Sequence, residues 1–102
     1  MNITIEQLTT PKVTPLHLPE LNGDVYIRTI TQGEASAISD RYDDPDGEDA
    51  EQAGRDIVHA SLCNENGEPL LESPDQVKDL SLPVLQKILN AVGLGEDRAR
   101  GN

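Results

Sequence analysis

Few residues in this chain have side chains suited to chemistry. His17, His59 and Cys63 are the only histidines and the only cysteine among 102 residues. His59 and Cys63 stand one helical turn apart, a spacing at which an imidazole can take the proton of a thiol and activate it as a nucleophile. The surrounding run, Ile57-Val58-His59-Ala60-Ser61-Leu62-Cys63, supplies no glycine-rich loop and no third group to orient the imidazole. The favoured reading is a partly exposed helical histidine beside a small, half-buried cysteine. His17 lies in an extended stretch, opposite in phase to Leu16 and Leu18. No Cys–His spacing suits zinc, and a lone cysteine cannot close an intramolecular disulfide.

The second candidate is the run Asp40 to Asp49, which holds six acids and invites a calcium reading. A calcium loop of the helix–loop–helix type needs oxygen ligands at positions one, three and five, glycine at six and glutamate at twelve. With Gly47 at six, Asp44 and Asp46 fit, but position one is Tyr42 and position twelve is Ala53. The Asn66-Gly67 site fails in the same way, with Leu62 at position one. Gly93-x-Gly95 lies at a helix end and does not connect a strand to a helix, so it is no phosphate loop. Acidic pairs are too numerous to mark any one of them as a general acid and base. The expectation is a non-enzyme with no cofactor and no metal.

Bulk composition narrows the partners. Nineteen acidic against eight basic residues give a formal net charge of −11. Phosphate recognition needs clustered Lys and Arg, so nucleic acid is not an expected ligand. An anionic membrane surface is disfavoured on the same ground. No apolar run approaches the roughly 18 residues that a membrane span needs, and Glu6 stands where a secretory leader would be basic. The expected compartment is a reducing cytosol. An acidic mimic of DNA is compatible with the charge. Its acids, however, would have to line a rigid face, and here they gather in a loop with Pro45 and Gly47.

These residues must be positioned by a small core. Phe and Trp are absent and Tyr26 and Tyr42 are the only aromatics, so the core is built from Leu, Ile, Val and Ala. The length fits one domain of modest stability, helped by self-association or a partner. Thr4 and Gln7 have capping-box spacing for one short helical turn, which Pro11 and Pro15 confine. Residues 13 to 18 and 24 to 30 predict a β-hairpin around Asn22-Gly23-Asp24, with Val25, Ile27 and Thr29 on one face. Thr31 and Glu34 form a second capping box, opening a helix to about Arg41 whose weak apolar face is Ala35, Ala37 and Ile38. The acidic loop follows, solvated and mobile by composition.

Residues 50 to 62 read as a helix through Ala50, Ala53, Ile57 and Ser61, with Val58 and Leu62 beside them. Gly54 interrupts this helix at a cost of about 1 kcal/mol relative to Ala, which close approach of a neighbouring element would explain. Asn64 to Gly67 is a turn, and residues 62 to 71 either extend the helix or form a small strand pair. Ser73-Pro74-Asp75-Gln76 predicts a further helix start with a capping box, and that short helix ends near Leu80. Ser81 caps the last helix, whose stripe is Leu82, Leu85, Ile88, Leu89 and Val92, with Gly93 as its left-handed cap. The tail from Gly95 to Asn102 is polar and expected to fray. The fold class is therefore α+β: a small N-terminal hairpin or sheet packed with three to four α-helices in a single domain, residues 1 to 94.

The order of these signals resembles a known family. V-x-I-R-x-I runs directly into T-x-G-E; a polar loop precedes D-I-V-H-A-S-L, which ends in C-N-E-N-G-E-P-L-L; S-P-D-Q-V-K-D-L and L-P-V-L-Q-K-I-L-N-A-V-G-L follow. This is similar to the tail assembly chaperones of long-tailed, siphovirus-type bacteriophages and prophages, over roughly residues 13 to 94. Asn64, Gly67 and Leu70 stand near that family's D-x-x-G-x-x-[LF] turn, with Asn64 where Asp is more usual. The resemblance implies a non-enzymatic chaperone that binds the tape measure protein and recruits tail tube subunits. It would act in the host bacterial cytoplasm and be absent from the finished virion.

On that reading, an aliphatic groove rimmed by acids covers apolar helical faces of the tape measure protein. The candidate contact residues, for a partner or for self-association, are Leu85, Ile88, Leu89 and Val92. The competing reading of the same residues is plain core. A head–tail joining protein and the acidic DNA mimic are the alternative functions.

Overall fold

The computed structural model describes residues 2–93; the polar tail expected from Gly95 onwards lies outside the described residues. Strands β1 (Val13–Leu18) and β2 (Gly23–Arg28) pair antiparallel, from Val13↔Arg28 to Leu18↔Gly23. The sequence signal places the second strand at residues 24 to 30; the ladder instead starts at Gly23 and the strand ends at Arg28. The turn is the cause. Pro19–Leu21 wind one 3-10 turn, and Asn22 takes φ 51°, the left-handed conformation that reverses the chain. Gly23 is thereby free to enter the strand.

The register puts Leu16 opposite Val25 and Thr14 opposite Ile27, so these residues share one face. That face is the core side: Leu18 and Ile27 are buried, and Leu16 and Val25 pack against the cluster. On the other face His17 stands opposite Asp24, with Nδ1 and Oδ1 2.7 Å apart.

The segment left open by its sequence forms a strand pair. β3 (Leu62–Cys63) joins the free edge of β2, giving the sheet order β1-β2-β3, and Cys63 bridges back to Pro69. The Asn64 side-chain oxygen accepts from the backbone N–H of Asn66 (2.8 Å) and of Glu68 (3.0 Å), and Gly67 adopts φ 82°. The polar side chain thus supplies the acceptor that closes the turn.

The described residues form four α-helices, α1 (Ile5–Thr9), α2 (Gln32–Ser39), α3 (Ala50–Ser61) and α4 (Leu82–Ala91), of which α3 and α4 pack on the sheet. Val58 of α3 is 0% exposed and sits in one cluster with Leu18, Ile27, Leu62, Val77, Val84 and Ile88. α2 packs on α3, where Ile38 and Ala53 are buried; Ala37, expected on the apolar face, is exposed. Arg28 joins β2 to the start of α2 by a two-pronged pair with Glu34, 2.6 and 3.3 Å. α4 packs on β1, and Lys87 reaches Glu20 in the hairpin turn at 2.9 Å.

Two helix expectations change. Pro74–Asp79 is 3-10 and not α-helical, and the Ser73 hydroxyl caps nothing; the Gln76 side chain accepts from the Glu72 N–H instead. Val77 is drawn into the core, and α4 begins after Ser81, which stands at the N-cap position but, like Ser73, makes no side-chain capping bond; Ser81 comes two positions after Asp79, which leaves room only for tight turns. In α4 the deepest residues are Val84 and Ile88, four apart on one ridge, while Leu82 is exposed. Val84 lies within about 40° of Ile88 around the helix at 3.6 residues per turn, whereas Leu82 is turned well away.

Candidate functional site

Between α3, α4 and the 3-10 segment runs a groove of about 510 Å³. Its floor and walls are Ala50, Gly54 and Val58 of α3, Val77, and Leu85 and Leu89 of α4. Leu85 and Leu89 are one turn apart, and Leu82 continues the same flank of α4 toward its N-terminus. Of the four candidate contact residues, the structure therefore brings Leu85 and Leu89 to one surface. Ile88 is 1% exposed and belongs to the core. Val92 is half-buried and packs against the core cluster, outside the groove lining. Ile88 is corrected from contact residue to core residue, because it points along the Val84 ridge into the sheet side of the helix.

The rim differs from the acidic rim expected. Glu51 is joined by Arg55 and Lys78, two of the eight cations in the chain. Arg55 lies 3.6 Å from Glu51 and Lys78 lies 4.0 Å from Asp75, both loose surface pairs that leave the cations able to engage another acid.

Gly54 is the informative residue of this groove. A Cβ built there meets nothing within 4 Å. No element of the described chain approaches it closely, contrary to the expectation from sequence. The missing side chain instead keeps the groove open between α3 and α4.

The other candidates have local partners. His59 Nε2 donates to the Leu71 carbonyl at 3.0 Å, and the Cys63 thiol donates to the Tyr26 carbonyl at 3.4 Å. The histidine and the cysteine are thus committed to different backbone groups, and burial raises the thiol pKa above its ordinary value. In the acidic loop, Asp44 Oδ2 accepts from the Glu48 N–H at 2.9 Å and Asp49 Oδ2 accepts from the Asp44 N–H at 3.1 Å. These acids hold their own turn by side-chain-to-backbone bonds, so the loop has more internal structure than its composition suggests. Among the described residues no three His, Cys, Asp or Glu side chains gather as a metal site, and no helix is long and apolar enough to cross a membrane.

Sequence reasoning missed Asp56. It is a buried carboxylate on α3, accepting from the Tyr42 hydroxyl at 2.7 Å and from Arg41 at 3.3 Å. The bond to Asp56 also raises the Tyr42 phenol pKa. This trio ties the chain after α2 back onto α3. The available signal was one aromatic and one cation beside the acidic loop, with a lone acid inside an apolar helical run.

Comparison with protein-family models, with curated proteins and with solved structures returns no match for this chain.

Proposed function

We propose that this chain is a non-enzymatic tail assembly chaperone of a long-tailed bacteriophage, and that its groove receives an amphipathic helix of the tape measure protein. The observation that supports docking is Gly54. A glycine inside a helix costs about 1 kcal/mol relative to alanine, and no neighbour in the described chain uses the space it leaves. A partner helix lying across α3 and α4 accounts for it, since its side chains would fill the position a Cβ and its substituents would otherwise take. Leu85, Leu89 and the exposed Leu82 give that helix an aliphatic wall, the arrangement used for helix-in-groove recognition.

The resemblance supplies the partner class and the groove supplies the means. A tape measure protein awaiting tube assembly exposes apolar helical faces, and covering them with a chain of net charge −11 keeps the complex soluble. Recruitment of tail tube subunits, action in the host cytoplasm and absence from the finished virion belong to the same proposal. The test is co-expression with a phage tape measure protein from the same genome. Wild type is expected to render it soluble and to co-elute with it. Gly54→Leu is expected to fold and to lose the capture. Undiminished capture by Gly54→Leu, or a client that stays insoluble beside wild type, contradicts the reading.

A further inference from the structure

The N-terminal arm, residues 2–12, carries apolar side chains with nothing to cover them. Every residue from Asn2 to Pro15 is exposed. Ile3, Ile5 and Leu8 are 69%, 78% and 73% exposed, which makes them three of the seven large exposed hydrophobics of the described chain. Yet the arm is built as a helix. Thr4 accepts from the Gln7 N–H and Gln7 accepts from the Thr4 N–H, a complete capping box. Ile3 and Leu8 stand at the two positions of a hydrophobic staple, and Ile5 and Leu8 share a face. Five residues are far below the length at which an isolated helix holds in water. A capped, apolar turn of this kind gains its stability from a surface that covers it.

The groove offers that surface, and its charge fits. Glu6 lies on the flank of the Ile5–Leu8 face, and the groove rim presents Arg55 and Lys78 on an otherwise strongly acidic protein. We infer that in the absence of a client the groove is filled by the α1 arm of a second copy of this chain. Ile5 and Leu8 enter between α3 and α4 over Gly54, and Glu6 meets Arg55 and Lys78. Thr10-Pro11-Lys12 forms the connector to β1, and short hinge segments of this kind invite exchange between copies. The chain so blocks its own docking site with a stand-in for the client helix. This inference rests on the reading of the groove as a helix-docking site, and not on the identity of the client.

The experiment uses this chain alone. Light scattering after size exclusion is expected to show a concentration-dependent dimer or larger species for wild type and a monomer for Ile5→Asp/Leu8→Asp. A labelled peptide of residues 2–12 is expected to bind that variant by fluorescence anisotropy, and Lys78→Glu in the same background is expected to weaken binding at least tenfold. A Glu6→Lys peptide is expected to recover part of the loss. A wild-type chain that stays monomeric at high concentration and a variant that ignores the peptide overturn the inference, as does peptide binding unchanged by Lys78→Glu. Failure here with successful client capture leaves the chaperone reading intact; the reverse result leaves arm exchange intact and removes the client.

Discussion

α1 and α4 are both short helices with aliphatic residues at helical spacing, and they end in opposite surroundings. α4 presses Val84 and Ile88 onto the sheet and α3, and is tied to the hairpin turn by Lys87 and Glu20. α1 buries nothing. Periodicity says that a stripe exists; it does not say what covers it. The sheet covers half of the α4 stripe, leaving Leu85 and Leu89 to a groove, and no part of the described chain buries the α1 stripe. The molecule therefore has one helix that holds the fold together and one that contributes no buried side chain to it.

The largest effect should separate these two helices directly. Ile88→Ala removes a fully buried side chain and is expected to cost about 2–5 kcal/mol in urea unfolding. Ile5→Ala/Leu8→Ala, measured on monomer, is expected to change stability by about 0.5 kcal/mol or less, as exposed sites do. A large loss from the second pair would mean that the arm packs on its own core.

The capping boxes sharpen the comparison. Thr4–Gln7 and Thr31–Glu34 have the same bonds, but only the second is joined to the sheet, through Arg28. Thr31→Ala is expected to lower global stability by about 1 kcal/mol, whereas Thr4→Ala should leave the global unfolding transition where it is and lower only the helicity of the arm.

The smallest effect is electrostatic. The Arg28 guanidinium and the Thr31 N–H hold the Glu34 carboxyl at about 2, below its ordinary value of 4.5. A carboxylate with a depressed folded-state pKa stabilises the fold above its unfolded pKa, and that contribution is lost as pH falls toward the folded value. The stability difference between wild type and Glu34→Gln should thus shrink steadily between about pH 4.5 and pH 2. Because the Glu34 side chain is 38% exposed, water and salt screen the pair, and the difference at neutral pH should be small.

Much of the fold was legible because local chemistry decided it. Thr31 and Glu34 mark the start of α2, Gly93 takes the left-handed cap at φ 84°, and alternation in Leu16, Leu18, Val25 and Ile27 gives the core face of the hairpin. What was not legible depends on tertiary space. Pro74–Asp79 carries an α-helical start signal but winds as 3-10 because Val77 is pulled inward between α3 and α4. Leu62-Cys63 becomes a strand because the edge of β2 is free to pair. Of the candidate site, Leu85 and Leu89 could be read from spacing, but Ile88 could not be told from them without knowing which side of α4 meets the sheet. The cationic rim was hidden because Arg55 and Lys78 are 23 positions apart and meet only across the groove.

The most direct test of the docking groove is an amide-resolved NMR titration of the Ile5→Asp/Leu8→Asp chain with a peptide spanning one amphipathic helix of the tape measure protein. Shifts concentrated at Gly54, Arg55, Lys78, Leu85 and Leu89 are the predicted result. Shifts confined to the β1 edge or the acidic loop, or no shifts at all, would contradict it.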